Sequence, residues 1–155
     1  HFGAEVYATS RQDKKLELAK GFGADVDINT SKCDLKEEIN RITDGEQCDV
    51  IFDNIGIKNS IDDCLKMLRP GGKIIVVGYS DPEFEANYQQ VVIKEKEIIG
   101  IRGSSRQNLV EVIKMVEKGI IKPYIYKTYK LEEINEALNQ LRHGGSLGRT
   151  VVVFD

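Results

Sequence analysis

Two stretches decide the fold: Asp49-Val50-Ile51-Phe52-Asp53 and Lys73-Ile74-Ile75-Val76-Val77. Each is short, rich in β-branched residues, and apolar without interruption. A strand with one wet face alternates apolar and polar residues. An unbroken apolar run of this length predicts a strand covered on both faces, which is the habit of parallel sheets. Working outward, further strands are predicted over residues 5–9, 25–28 and 97–101. Between them, residues 12–21, 34–43, 60–68 and 106–118 carry apolar side chains at helical spacing, as with Val110, Ile113 and Val116. Turn signals separate the units at Phe22-Gly23-Ala24-Asp25, Asp44-Gly45 and Arg69-Pro70-Gly71-Gly72. Past Gly119 the pattern loosens into an extended piece over 124–129, a helix over 131–142 and a last strand over 150–154. Strands alternating with helices in this way imply a doubly wound α/β fold with a parallel sheet, Rossmann-like.

Composition agrees with a single folded domain. The chain has 155 residues, 41% hydrophobic and 30% charged, enough to bury one core. A net charge of −3 gives no basic surface for nucleic acid or an anionic membrane. No apolar run approaches the length of a membrane span, and no signal-peptide pattern opens the chain. Cys33, Cys48 and Cys64 are widely spaced, and His1 and His143 sit near opposite ends, so no disulfide framework or zinc site is expected. Isolated cysteines of this kind suit a reducing, cytoplasmic setting.

A doubly wound sheet places ligands beyond the carboxyl ends of its strands. The first predicted strand ends in Thr9-Ser10-Arg11. Strands that hold the adenosine ribose of NAD end in Asp or Glu, whose carboxylate takes both hydroxyls. A carboxylate repels a 2′-phosphate, whereas a hydroxyl followed by a guanidinium can hold one. The plainer alternative is a polar turn in which Ser10 primes the next helix.

Longer stretches resemble a known family in order. Gly3 to Arg11 and Asp13 to Asp25 look like the second-strand region of zinc-type medium-chain dehydrogenases. Cys48-Asp49-Val50-Ile51-Phe52-Asp53-Asn54-Ile55-Gly56 resembles that family's fourth strand and following turn. Leu68-Arg69-Pro70-Gly71-Gly72-Lys73-Ile74-Ile75-Val76-Val77-Gly78 is similar to its fifth, and Ile93 through Ser104 to its sixth. Residues 119–123 and Gly148-Arg149-Thr150-Val151-Val152-Val153-Phe154 resemble its closing elements. The resemblance implies the cofactor-binding portion of an NAD(P)-dependent oxidoreductase that moves hydride between nicotinamide and a carbonyl, alcohol or enoyl substrate. It implies a small-molecule substrate and a homo-oligomer.

Roles carry over by position. Ser10 matches the ribose-reading residue, with Arg11 beside it, and Lys15 matches a lysine that contacts the adenosine ribose in relatives with an acid at the ribose-reading position. Ile55 and Gly56 match the turn against the nicotinamide-side ribose. Val77, Gly78 and Tyr79 match residues approaching the nicotinamide. Gly100, Ile101 and Arg102 match the segment offering backbone bonds to its carboxamide. Arg149 matches a basic residue reaching the pyrophosphate. NADP is the expected cofactor from Ser10 and Arg11, with NAD as the alternative.

The expectation extends to what the sequence lacks. No G-x-G-x-x-G precedes the first strand, and Gly71-Gly72 and Gly144-Gly145 are too short to replace it. His1-Phe2-Gly3-Ala4 reads as the end of the helix that would follow such a loop. The whole of 1–155 is therefore read as an incomplete nucleotide-binding domain without its first strand and glycine loop. An upstream catalytic domain would hold any zinc, and no catalytic residue is assigned here. In the strand order 3-2-1-4-5-6 the absent strand is the one between residues 5–9 and 49–53, which should then not pair with each other.

Two rivals remain at this stage. The stretch from Leu68 to Ile75 is also typical of S-adenosylmethionine-dependent methyltransferases, which end in an antiparallel hairpin and hold ribose with an acid after the second strand. A non-catalytic interaction domain derived from the dehydrogenase fold is the other. Within the dehydrogenases, residues 93–104 and 107–122 lean toward alcohol dehydrogenases over zinc-free quinone or enoyl reductases.

Overall fold

The computed structural model describes residues 2–81, 83–144 and 146–154. His1, and Gly145 of the Gly144-Gly145 pair, lie outside them. The chain forms two compact units, one of residues 1–29 with 104–155 and one of residues 30–103.

In the first unit, β1 (Tyr7–Ser10), α1 (Asp13–Gly21) and β2 (Val26–Asn29) make a parallel β-α-β turn of structure, with Tyr7 opposite Val26 and Ser10 opposite Asn29. Leu16 and Ile28 supply its buried apolar contacts. Residues 2–4 precede β1 outside any helix, and Gly3 takes a left-handed φ of +78°. The later part of this unit runs α5 (Arg106–Glu117), β6 (Ile125–Lys130), a short 3-10 turn, α6 (Ile134–Arg142) and β7 (Arg149–Val153). Strands β6 and β7 are parallel, not an antiparallel hairpin, which removes the methyltransferase reading.

The second unit holds α2 (Leu35–Ile42), β3 (Cys48–Asp53), α3 (Ser60–Met67), β4 (Leu68–Val76), α4 (Tyr88–Ile93) and β5 (Glu97–Gly100). Its sheet is parallel in the order β3-β4-β5. The pleat puts Ile51, Ile74 and Ile98 on one face, and they close with Ile61, Cys64 and Leu65 of α3 and with Leu68 into the core of this unit. Lys96 is buried beside it, and its Nζ donates to the Leu65 carbonyl at 2.6 Å. That bond caps the C-terminal turn of α3 with a positive charge, where the helix dipole favours one. Burial, and secondarily the Lys94 charge, lower the Lys96 pKa.

Within each unit the strands pair in sequence order, β1 with β2, and β3 with β4 with β5. Among the described residues β1 pairs only with β2, and β3 only with β4.

Two expectations need correction. Arg69-Pro70-Gly71-Gly72 turns within the span of β4 and not before it: β4 pairs β3 at Leu68 and again from Lys73, Gly71 takes φ +71°, and its N–H bonds the Lys94 carbonyl. Strand β3 is not covered on both faces: helix α3 takes the Ile51 face, while Phe52 on the other is 63% exposed. Helix α4 was not anticipated because Tyr88-Gln89-Gln90-Val91-Val92-Ile93 is too short to show a helical period; its start is fixed by Asn87, whose side chain accepts from the Gln90 N–H.

The cysteines provide a check on this packing. Cys64 lies in the core, and burial followed by the nearby Asp53 charge pushes its thiol up to about 12. Cys33 is exposed. In mildly alkaline buffer iodoacetamide is expected to label Cys33 while Cys64 stays unmodified until denaturant is added, as read by peptide mapping. Early labelling of Cys64 in the folded protein would contradict the core.

Candidate functional site

The carboxyl ends of β3 and β4 are joined through one residue. Asp53, the last residue of β3, is buried. Its Oδ1 accepts hydrogen bonds from the Ile55 and Gly56 N–H groups, both at 3.0 Å. This is an Asx turn, which a carboxylate favours because it can take two amides at once. The Asp53 Oδ2 accepts from Ser60 Oγ at 2.5 Å, at the start of α3. Its backbone carbonyl accepts from Val77 N at 2.8 Å and Gly78 N at 3.0 Å, at the exit of β4. Burial works to raise the Asp53 pKa, but the bonds from Ser60, Gly56 and Ile55 outweigh it and hold the carboxyl below its ordinary range. A carboxylate lowered on folding stabilises the native state above its unfolded pKa, and that contribution is lost as pH falls through the folded value.

The two turns then touch backbone to backbone. Gly56 has φ +66°, and a Cβ there would lie 2.1 Å from the Gly78 carbonyl oxygen. A Cβ on Gly78 would lie 2.3 Å from the Ile55 carbonyl carbon. Ser80 continues the seam: its Oγ donates to the Ile55 carbonyl at 2.7 Å, and its N–H to the Gly56 carbonyl at 3.0 Å. The Asp81 N–H also reaches the Gly56 carbonyl, and the Asp81 carboxylate accepts from the Lys58 N–H. The backbone groups of Ile55 and Gly56 are all engaged inside the seam, and several large apolar side chains stand exposed on it. Ile55 is 62% exposed and Tyr79 84%, and Ile57, Val77 and Ile101 are exposed beside them in the sequence of strand ends.

At the end of β5, the Ile101 N–H is spent on the Val76 carbonyl at 3.0 Å. It is therefore not available to a ligand, which narrows the expectation for this segment. The Arg102 N–H and the Ile101 carbonyl have no hydrogen-bond partner among the described residues. The Arg102 side chain is exposed and makes no ion pair among them.

The other residues singled out lie in the first unit. Ser10 ends β1, and its Oγ accepts from the Gln12 N–H at 3.2 Å in a local turn, while α1 itself has Gln12 as its N-cap and no side-chain cap. That bond leaves the hydroxyl proton to donate. Arg11 is exposed in the turn before α1, and Lys15 is half-buried in the helix's first turn. Arg149 opens β7 with its N–H on the Tyr124 carbonyl and its side chain exposed. The Tyr124 ring meets Phe22 edge-on, with centroids 5.9 Å apart. No hydrogen bond or ion pair joins Arg149 to Ser10 or Lys15 among the described residues.

These strand ends can be set beside known proteins. A family model described as zinc-binding dehydrogenase matches residues 1–118. The chain belongs to the zinc-binding dehydrogenase family. It is 31% identical over 97% of its length to a protein of Sulfurisphaera tokodaii named NAD-dependent alcohol dehydrogenase, covering 44% of that protein. It is 30% identical, with the same coverages, to a protein of Saccharolobus solfataricus bearing the same name. The chain thus spans less than half the length of these curated relatives. Among solved structures, the alcohol dehydrogenase of Aeropyrum pernix superposes with a TM-score of 0.88 at 28% identity, over 97% of this chain and 43% of that one. An acetophenone reductase of Geotrichum candidum in complex with NAD gives 0.85 at 26% identity, over 98% and 42%. For this dehydrogenase-family chain no group of three or more His, Cys, Asp or Glu side chains suited to a metal occurs among the described residues, so they do not fit a zinc ion.

Sequence reading missed Asp53, Ser60 and Ser80 as parts of the site. The signal was present as an aspartate ending a strand, two residues before an Ile-Gly pair and seven before a serine.

The seam predicts unequal costs for adding one methyl group. Gly56→Ala combines a left-handed backbone with a clash against backbone, and is expected to destabilise by ~2–4 kcal/mol. A Cβ on Gly100 meets nothing within 4 Å, so Gly100→Ala is expected to stay within about 0.5 kcal/mol. Denaturant melts of both variants check this, and equal costs would contradict the contact.

Proposed function

We propose that the full-length protein is a nicotinamide-dinucleotide-dependent oxidoreductase of the alcohol dehydrogenase type, and that this chain carries its cofactor-binding portion. The observation that carries this reading is the set of exposed apolar side chains, Ile55, Val77 and Tyr79, on the closely joined turns at the carboxyl ends of β3 and β4, where a doubly wound sheet receives its ligand. The names of the relatives, NAD-dependent alcohol dehydrogenase, support the cofactor and the reaction class. When bound, the nicotinamide ring accepts or donates the hydride.

The residues of this chain bind and orient. Ile55, Gly56, Val77, Gly78 and Tyr79 present the surface for the nicotinamide and its ribose. The Arg102 N–H and Ile101 carbonyl offer one donor and one acceptor, the complement of a carboxamide. Gly100 carries no side chain that would crowd that approach. Ser10, Arg11 and Lys15 take the adenosine end, and Arg149 the pyrophosphate. The substrate is a small carbonyl, alcohol or enoyl compound, with the alcohol dehydrogenase branch favoured. The protein works as a homo-oligomer in a reducing, cytoplasmic setting, to which three cysteines outside any disulfide are suited. No step is assigned to zinc, because the described residues offer it no ligands. Among them no helix is long and apolar enough to cross a membrane.

Cofactor choice rests on Ser10 and Arg11. A hydroxyl donor and a guanidinium at the end of β1 favour a 2′-phosphate over two bare hydroxyls. The full-length protein is expected to bind NADPH about ten- to a hundredfold more tightly than NADH, the worth of one charge-assisted contact. Ser10→Asp should weaken or reverse that preference. Fluorescence titration with the two reduced cofactors tests it, and equal or tighter NADH binding by the unmodified protein would overturn it.

A further inference from the structure

The geometry points to Asp53 as a positioning residue for the nicotinamide half of the cofactor: its carboxylate turns the Ile55-Gly56 amides inward, so that this turn meets the ligand through the Ile55 side chain and not through its backbone. The inference rests on the cofactor assignment proposed above, and adds a residue that touches no cofactor itself.

The four backbone polar groups of Ile55 and Gly56 are all engaged within the protein. Both N–H groups donate to Asp53 Oδ1 at 3.0 Å. The Ile55 carbonyl accepts from Ser80 Oγ, and the Gly56 carbonyl from the N–H groups of Ser80 and Asp81. A turn whose donors are committed has none to offer a ribose hydroxyl. What it exposes is the Ile55 side chain, 62% accessible. Apolar contact with a flat ring or sugar face therefore sets its contribution, and the position of that side chain follows from the two bonds to Asp53.

The anchor is itself fixed. Ser60 Oγ donates to Asp53 Oδ2 at 2.5 Å and also lies 2.8 Å from the Ile57 carbonyl. The Asp53 backbone carbonyl holds Val77 and Gly78. One buried carboxylate thus determines the rotation of the β3 turn, while the carbonyl of the same residue determines the start of the β4 turn. With the carboxylate removed, two amides lose their acceptor, and an unpaired buried amide turns toward any acceptor it can reach, solvent included. Ile55 rotates with them. The β4 contacts made by the carbonyl survive, so the loss is confined to one wall of the site.

The test separates the two halves of the dinucleotide. Full-length protein and its Asp53→Ala, Asp53→Asn and Ser60→Ala variants are titrated with whichever of NADPH and NADH binds more tightly. They are also titrated with the matching adenosine-side fragment, adenosine 2′,5′-bisphosphate or AMP. Asp53→Ala is expected to weaken the whole dinucleotide roughly tenfold while leaving the fragment within about twofold. Asp53→Asn keeps an acceptor oxygen for the two amides and should recover most of that loss. Ser60→Ala should fall between them, and it carries the test if Asp53→Ala does not fold. Unchanged dinucleotide binding in the variants, or equal loss for dinucleotide and fragment, would overturn the positioning role while leaving the cofactor assignment standing. Failure of the unmodified protein to bind either dinucleotide would overturn both.

Discussion

The backbone contact between Gly56 and Gly78 is the constraint on which the described site depends. Two strands of a parallel sheet lie about 4.8 Å apart, and the chains leaving them ordinarily diverge toward their own helices. Here they are drawn into contact so close that neither glycine can bear a side chain. Asp53 holds the contact from both directions, by its carboxylate on one turn and its carbonyl on the other. Because the backbone groups of Ile55 and Gly56 are consumed within the seam, that turn offers a ligand the Ile55 side chain. That is the kind of surface on which a planar ring can be set at a reproducible height, which under the proposed function is what this chain would contribute.

Much of this was legible in the sequence, and the reason differs from element to element. Strands β3 and β4 announce themselves because β-branched residues crowd into short uninterrupted runs, and the glycines after them mark where a chain must turn tightly. The parallel arrangement follows from the intervening helices. Less visible was the part played by Asp53. An aspartate at a strand end reads as a boundary, and only the Asx geometry shows that it binds two amides and a serine hydroxyl together. The Ile101 N–H likewise looked available from sequence, but the β4–β5 ladder runs one bond past the last paired residue and consumes it.

Misreadings have physical causes as well. Pro70-Gly71-Gly72 has the composition of a turn and Gly71 takes a left-handed φ of +71°, but the turn falls inside β4, because Leu68 before it already pairs with Cys48. The apolar run of β3 implied cover on both faces, while the structure supplies a helix for the Ile51 face and leaves Phe52 exposed. Helix α5 shows the same feature: it has the amphipathic pattern expected of residues 106–118, but none of its residues is buried. Sequence patterning reports which surfaces are suited to burial. It does not report what lies against them.

The most direct measurement of the account is a crystal structure of the full-length protein with its tighter-binding nicotinamide cofactor. The account predicts the nicotinamide ribose against the Ile55 side chain, the Asp53 bonds to Ile55 and Gly56 intact, and the carboxamide on the Arg102 N–H and Ile101 carbonyl. A nicotinamide bound away from the ends of β3 and β4, or one taking its hydrogen bonds from the Ile55 and Gly56 amides, would contradict it.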